Sequence, residues 1–160
     1  NLTSAGGSGS GTVTFATATD GCSISTAALT VTKPVTCAVT ATKAANGIYA
    51  SATSAAVNFT FTAATQSTLT ISNSPKTGVV GTPLTLTTSG GNGDGAVTYK
   101  TTTSGCAIVG SELSATKAAT CVVTATKAAN GIYASASSAP AQFVFSVAAG
   151  LKAAIKLAKN

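Results

Sequence analysis

The chain has 160 residues, half of them Ala, Thr or Ser, with 8% charged residues and a net charge of +6 from nine lysines against Asp20, Asp94 and Glu112. With no His, Met, Trp or Arg, it lacks the parts for general acid–base chemistry, a Ser-His-Asp triad or the common zinc sites. The basic excess also lacks the arginines, clustered cations and exposed aromatics of a nucleic-acid surface. Low charge with positive mean hydropathy argues against disorder. No apolar run approaches the roughly 20 residues of a membrane span. No leader is visible, as expected of a mature or excised piece.

In chain order, residues 1–65 form a first module whose pattern recurs. A shift of 84 carries Leu2-Thr3 onto Leu86-Thr87, Val13-Thr14-Phe15 onto Val97-Thr98-Tyr99, and Cys22 and Cys37 onto Cys106 and Cys121. The run from Ala41 to Ala52 recurs unchanged as Ala125 to Ala136. A repeat of this kind predicts an array of similar domains. The first module closes on Val57, Phe59 and Phe61, and has no counterpart of residues 66–84 within the chain. It is therefore expected to lack its opening strand and part of the next, exposing backbone groups and core positions.

Residues 66–149 form the second, complete module. Leu69 and Ile71 alternate with polar residues, and Asn73 to Gly78 reads as a turn. Leu84 and Leu86 mark a second strand, and the Gly-rich run Gly90 to Gly95 reads as a hairpin turn before Val97 and Tyr99. Short strands follow near Cys106–Ile108, Leu113–Ala115 and Cys121–Thr126, with a last one through Phe143, Phe145 and Val147. Seven short strands at spacings of roughly 8–12 residues predict a β-sandwich. The linker, roughly Ala63 to Thr68, is short.

Residues 150–160 have helical periodicity. Lys152, Lys156 and Lys159 share one face, while Leu151 and Ile155 lie on the other. About ten residues make a marginal helix in water, so this tail is a candidate docking segment.

Four cysteines with identical spacing in the two modules admit three pairings, of which Cys22–Cys37 and Cys106–Cys121 is the simplest. Such a bridge suits a small core built from small side chains and implies an oxidising, extracytoplasmic location. A metal reading is weaker, because each pair has neither His partners nor a CxxC unit.

Comparison of the two copies also tests for chemistry. Asp20 corresponds to Ser104, Asp94 to Ser10 and Glu112 to Ala28, so no acid is shared. Asn92 and Asp94 could begin a calcium site, but Ser8 and Ser10 replace them. Lys43/Lys127 and Asn46/Asn130 recur without a shared acid to assist an isopeptide crosslink. Tyr49 and Tyr133 read as loop locks acting through their hydroxyls. The chain reads as non-enzymatic, with no cofactor and no metal.

The segments Thr88 to Tyr99, Gly105 to Ile108 and Ala119 to Ala128, with Gly21 to Ile24 and Val35 to Ala44 in the first copy, resemble bacterial immunoglobulin-like (Big-type) domains. The resemblance covers nearly all of residues 1–148. It implies two tandem Ig-like β-sandwich modules of a secreted or cell-surface protein, acting as stalk, adhesin or spacer. The expected partners are other copies of the chain or adjacent Ig-like domains. Leu69, Ile71, Val79 and Val80 are the candidate strand-exchange or linker segment, and the first module is expected to be completed by a strand from another subunit or from the preceding part of the same array. The alternatives are a glycan- or protein-binding module of a surface protein, with a glycan or surface receptor as partner, and a particle or virion decoration protein.

Overall fold

A computed structural model describes residues 1–148, so the tail residues Leu151, Lys152, Ile155, Lys156 and Lys159 lie outside the described residues. The described chain is all-β and divides into two compact units, Asn1–Ala64 and the residues from Thr65 onward. No helix of the described residues is long and apolar enough to cross a membrane.

The first unit contains six strands: β1 (Val13–Thr17), β2 (Cys22–Ser25), β3 (Ala28–Val31), β4 (Val35–Lys43), β5 (Ala52–Thr53) and β6 (Val57–Phe61). The long strand β4 is central, flanked by antiparallel β1 and β6, with β5 beside its C-terminal end. β2 and β3 form a separate hairpin. Its two-residue turn has positive φ at the first central residue, Thr26, where the second copy has Gly110. That geometry belongs to a type II′ turn, which favours glycine there.

Among its described residues the second unit has ten strands: β7 (Thr70–Ile71), β8 (Thr77–Val79), β9 (Leu84–Thr85), β10 (Thr88–Ser89), β11 (Val97–Thr101), β12 (Cys106–Val109), β13 (Glu112–Ala115), β14 (Ala119–Lys127), β15 (Ala136–Ser137) and β16 (Ala141–Ser146). One sheet runs β11-β14-β16-β8, with β15 beside β14; another runs β12-β13-β9, and β7 pairs β10. Alternation does the work expected of half-buried strands. Along β16, Ala141, Phe143 and Phe145 are buried and the residues between them exposed. These side chains meet Leu113 and Ala115 of β13, Cys121, Val123 and Ala125 of β14, and Leu69, Ile71 and Leu86 in one core. Sheets facing across such a core are consistent with a β-sandwich.

Three details differ from the sequence expectations. Thr77 and Gly78, expected within a turn, belong with Val79 to a strand parallel to β16, with Gly78 opposite Phe145. A strand this short and glycine-bearing carries almost no periodic signal. The run Gly90 to Gly95 is not a hairpin turn: the strands it joins, β10 and β11, pair with β7 and β14 and not with each other. The last strand stops at Ser146, before Val147.

Candidate functional site

Cys22 of β2 is bonded to Cys37 of β4, and Cys106 of β12 to Cys121 of β14. Each disulfide joins the hairpin-bearing sheet to the sheet built on the long strand. Cys37 and Cys121 are fully buried and Cys22 and Cys106 are half-buried, so each crosslink runs from the core toward the hairpin.

The other repeated residues also hold the fold. Ser54 and Ser138, which the sequence reading did not single out, interrupt pairing beside the long strand. In each copy the hydroxyl accepts from a β4 or β14 amide, Ala41 or Ala125, and donates to the next carbonyl, Ala55 or Ala139. Only their repetition could have flagged them. Tyr49 and Tyr133 close their turns through backbone bridges to Asn46 and Asn130. Their rings lie over Gly9 and Gly93, where an added Cβ would meet ring carbon at 2.9 and 3.2 Å. The contacts that hold these turns are those of ring and backbone. Lys33 and Lys117 lay their stems over Gly21 and Gly105, and Lys43 and Lys127 over Gly7 and Gly91. In the first copy Lys33 also pairs with Asp20. That hydrogen bond, then the lysine charge, holds the Asp20 carboxyl below its usual range.

The Asn92 side chain, a conceivable cation ligand, accepts the Ser67 amide at 2.6 Å. Among the described residues no three His, Cys, Asp or Glu side chains are grouped as a metal site would require.

The structural difference between the copies is concentrated in one place. In the second unit, Leu69 and Ile71 are only 1% and 6% exposed, and Val80 packs against the same core, while Val79 is largely exposed on β8. The expected exchange segment is thus engaged within its own unit. Its N-terminal end is pinned by Gln66, whose amide donates to the Ala128 and Ala134 carbonyls and accepts from the Asn92 amide.

The first unit has no such segment among the described residues. Phe59 is 37% exposed where Phe143 is 0%, and Val57 is 54% exposed where Ala141 is 9%. Between Leu2, Phe15, Val39, Ala41, Val57 and Phe59 lies an apolar groove of about 240 Å³. It adjoins a second recess of about 200 Å³ that shares Ser4, Ala5, Ala41 and Ser54. Two strand edges border it, at Leu2–Ala5 and on β6. Their second-unit equivalents pair with β7 and β8.

These features define a disulfide-pinned all-β repeat whose first copy carries an open apolar groove. No family model matches the chain, and no curated protein or solved structure matches it.

Proposed function

We propose that the chain is a structural segment of an extracellular or cell-surface protein, a stalk or filament part built from tandem immunoglobulin-like modules. The observation that carries this reading is what the two copies share. They share the disulfide, the serine bridge, the tyrosine turn and the lysine stems, all of which maintain the fold. The acids, which could do chemistry, are not shared. Selection for repeated shape without repeated chemistry is what a spacer requires. The disulfides favour an oxidising compartment, and repeated Thr-rich strands with a covalent pin suit a mechanically exposed position. The alternative of a glycan- or protein-binding module using the end loops has weaker support, because the loop tyrosines and glycines are occupied in packing against each other.

Electron microscopy of native material with antibodies against the second unit tests the reading. Label on extended surface structures, with an axial repeat of these modules, is the expected result. Label confined to the reducing interior of the cell, with free thiols on alkylation, would overturn it.

A further inference from the structure

Three Asn-Gly pairs occur in the chain: Asn46-Gly47, Asn92-Gly93 and Asn130-Gly131. In this dipeptide the side-chain amide and the next backbone nitrogen meet with least obstruction, because glycine has no Cβ. The first and last pairs occupy the same turn of the two units, after β4 and after β14. Each turn is closed by backbone alone. The Asn46 amide donates to the Tyr49 carbonyl at 2.9 Å and the Tyr49 amide to the Asn46 carbonyl at 3.0 Å; the distances are 3.1 and 3.0 Å between Asn130 and Tyr133. Gly47 and Gly131 stand at the first central position with φ of 60° and 55°, as a type II′ turn requires. Asn46, Gly47, Asn130 and Gly131 are all exposed, and a Cβ on either glycine would meet nothing within 4 Å. Among the described residues neither asparagine side chain and neither glycine amide has a hydrogen-bond partner.

Asn92-Gly93 is the same dipeptide in different surroundings. Asn92 is half-buried. Its side-chain carbonyl accepts the Ser67 amide at 2.6 Å, and its own amide donates to the Gln66 side chain at 3.2 Å. The Tyr133 ring covers Gly93, 3.2 Å from where a Cβ would stand. One chain therefore holds two open Asn-Gly pairs and one that is clamped.

We propose that Asn46 and Asn130 are a matched pair of hydrolytic modification sites, converted without an enzyme to aspartate and isoaspartate, and that the fold protects Asn92 from the same reaction. The Gly47 backbone nitrogen loses its proton and attacks the Asn46 side-chain carbonyl carbon. A carbon–nitrogen bond forms, the bond to the side-chain nitrogen breaks, and ammonia leaves with the proton, closing a five-membered imide. Solvent water then opens the ring at either carbonyl; nothing is oxidised or reduced. Opening at the side-chain carbonyl gives aspartate. Opening at the Asn46 main-chain carbonyl gives isoaspartate, turning the group that accepts the Tyr49 amide into a free carboxylate and lengthening the main chain by one methylene. Either product removes one unit from the net charge of +6 for each site converted. The isoaspartate product also breaks the turn that seats Tyr49 over Gly9 and Tyr133 over Gly93. At Asn92 the attacked carbonyl is held by the Ser67 amide, and reaction there requires that hydrogen bond to be given up.

The test uses the whole 160-residue protein, folded and oxidised, held in neutral buffer at physiological temperature and sampled over weeks by peptide mapping with mass spectrometry. Isoaspartate is scored by enzymatic methylation. A synthetic peptide with the sequence of Ala41 to Ala52, identical to Ala125 to Ala136, gives the unfolded reference for both sites. Asn46 and Asn130 should convert at similar rates, at least about tenfold faster than Asn92; tenfold is about 1.4 kcal/mol, roughly the worth of one hydrogen bond. In the reduced chain in denaturant the three rates should converge. Converted protein should show faster hydrogen exchange at the Tyr49 and Tyr133 amides. Protein carrying Asn46→Gln and Asn130→Gln, aged in parallel, should not, and its fold is retained because only backbone groups close these turns. Conversion of Asn92 as fast as the other two in the folded protein would overturn the proposal. So would intact Asn46 and Asn130 when the peptide has converted, or an Asn92 that stays slow in denaturant. Unchanged exchange at the two tyrosine amides in fully converted protein would overturn the effect assigned to isoaspartate.

Discussion

The same phenylalanine occurs at one position of both units, and removing it should cost very different amounts. Phe59 and Phe143 lie opposite Cys37 and Cys121 in equivalent register. Phe143 is fully buried, so Phe143→Ala loses its transfer free energy and leaves a closed cavity, about 3–5 kcal/mol in all. Phe59 keeps 37% of its surface in water. About two-thirds of a full transfer term of roughly 1.5–3 kcal/mol is then at stake, or about 1–2 kcal/mol. No cavity term is added, because the space left by the ring opens into the groove. For domains of this size each kcal/mol moves the melting temperature by about 4–8 °C. Phe143→Ala should therefore lower the second unit's transition by on the order of 15–30 °C, and Phe59→Ala should lower the first unit's by about 5–10 °C. Scanning calorimetry gives the transitions, and hydrogen exchange at the Ala41 and Ala125 amides assigns them to the units. Equal shifts would refute the reasoning, because they would mean that the first core is closed in solution.

Four further outcomes follow from individual residues. Thr26 holds φ at 58° where the second copy has a glycine, so Thr26→Gly should stabilise the first unit by about 1 kcal/mol, read by chemical denaturation. Ser138→Ala leaves the buried Ala125 amide without its hydroxyl acceptor and should cost the second unit about 1–3 kcal/mol, with faster exchange at that amide. Converting Cys22 and Cys37 to Ala should remove about 3 kcal/mol of loop-closure stabilisation and unfold the first unit before the equivalent change unfolds the second; the order of the two calorimetric transitions checks this. The Asp20 carboxyl is held below its usual range by Lys33, so its contribution is present at neutral pH and lost as pH falls through that lowered value. Asp20→Ser should accordingly cause a slight destabilisation near pH 7 that vanishes in strong acid, measured by melting across the pH series.

Much of this architecture was legible because the repeat and the two-residue alternation are strong local signals. Phe143 and Phe145 declare a buried strand face, and Cys22 and Cys37 recur as a pair. What escaped was information carried by contacts between distant segments. Thr77–Val79 is a strand only because β16 offers it an edge, and Gly78 is required only because the Phe145 ring lies there. The Gly90 to Gly95 loop looks like a hairpin until its flanking strands are seen to join different partners. The missing opening segment of the first unit could be inferred by alignment with the second. The position of Leu2, held by its amide's hydrogen bond to the Ala27 carbonyl, could not. Ser54 and Ser138 were hidden among so many serines that only their repetition distinguishes them.

An open sandwich should collapse or fray unless something keeps its two layers in place. In the second unit, Leu69 and Ile71 help do so by joining the core. The first unit lacks them but retains the Cys22–Cys37 bond between β2 and β4. A crosslink closing a loop of this length contributes about 3 kcal/mol by restricting the unfolded chain, comparable to burying one or two large aliphatic side chains. The disulfide therefore has unequal importance in the two copies despite its identical geometry. In the second unit it adds to a core that Leu69 and Ile71 complete, and within residues 1–64 it carries a larger share of the stability.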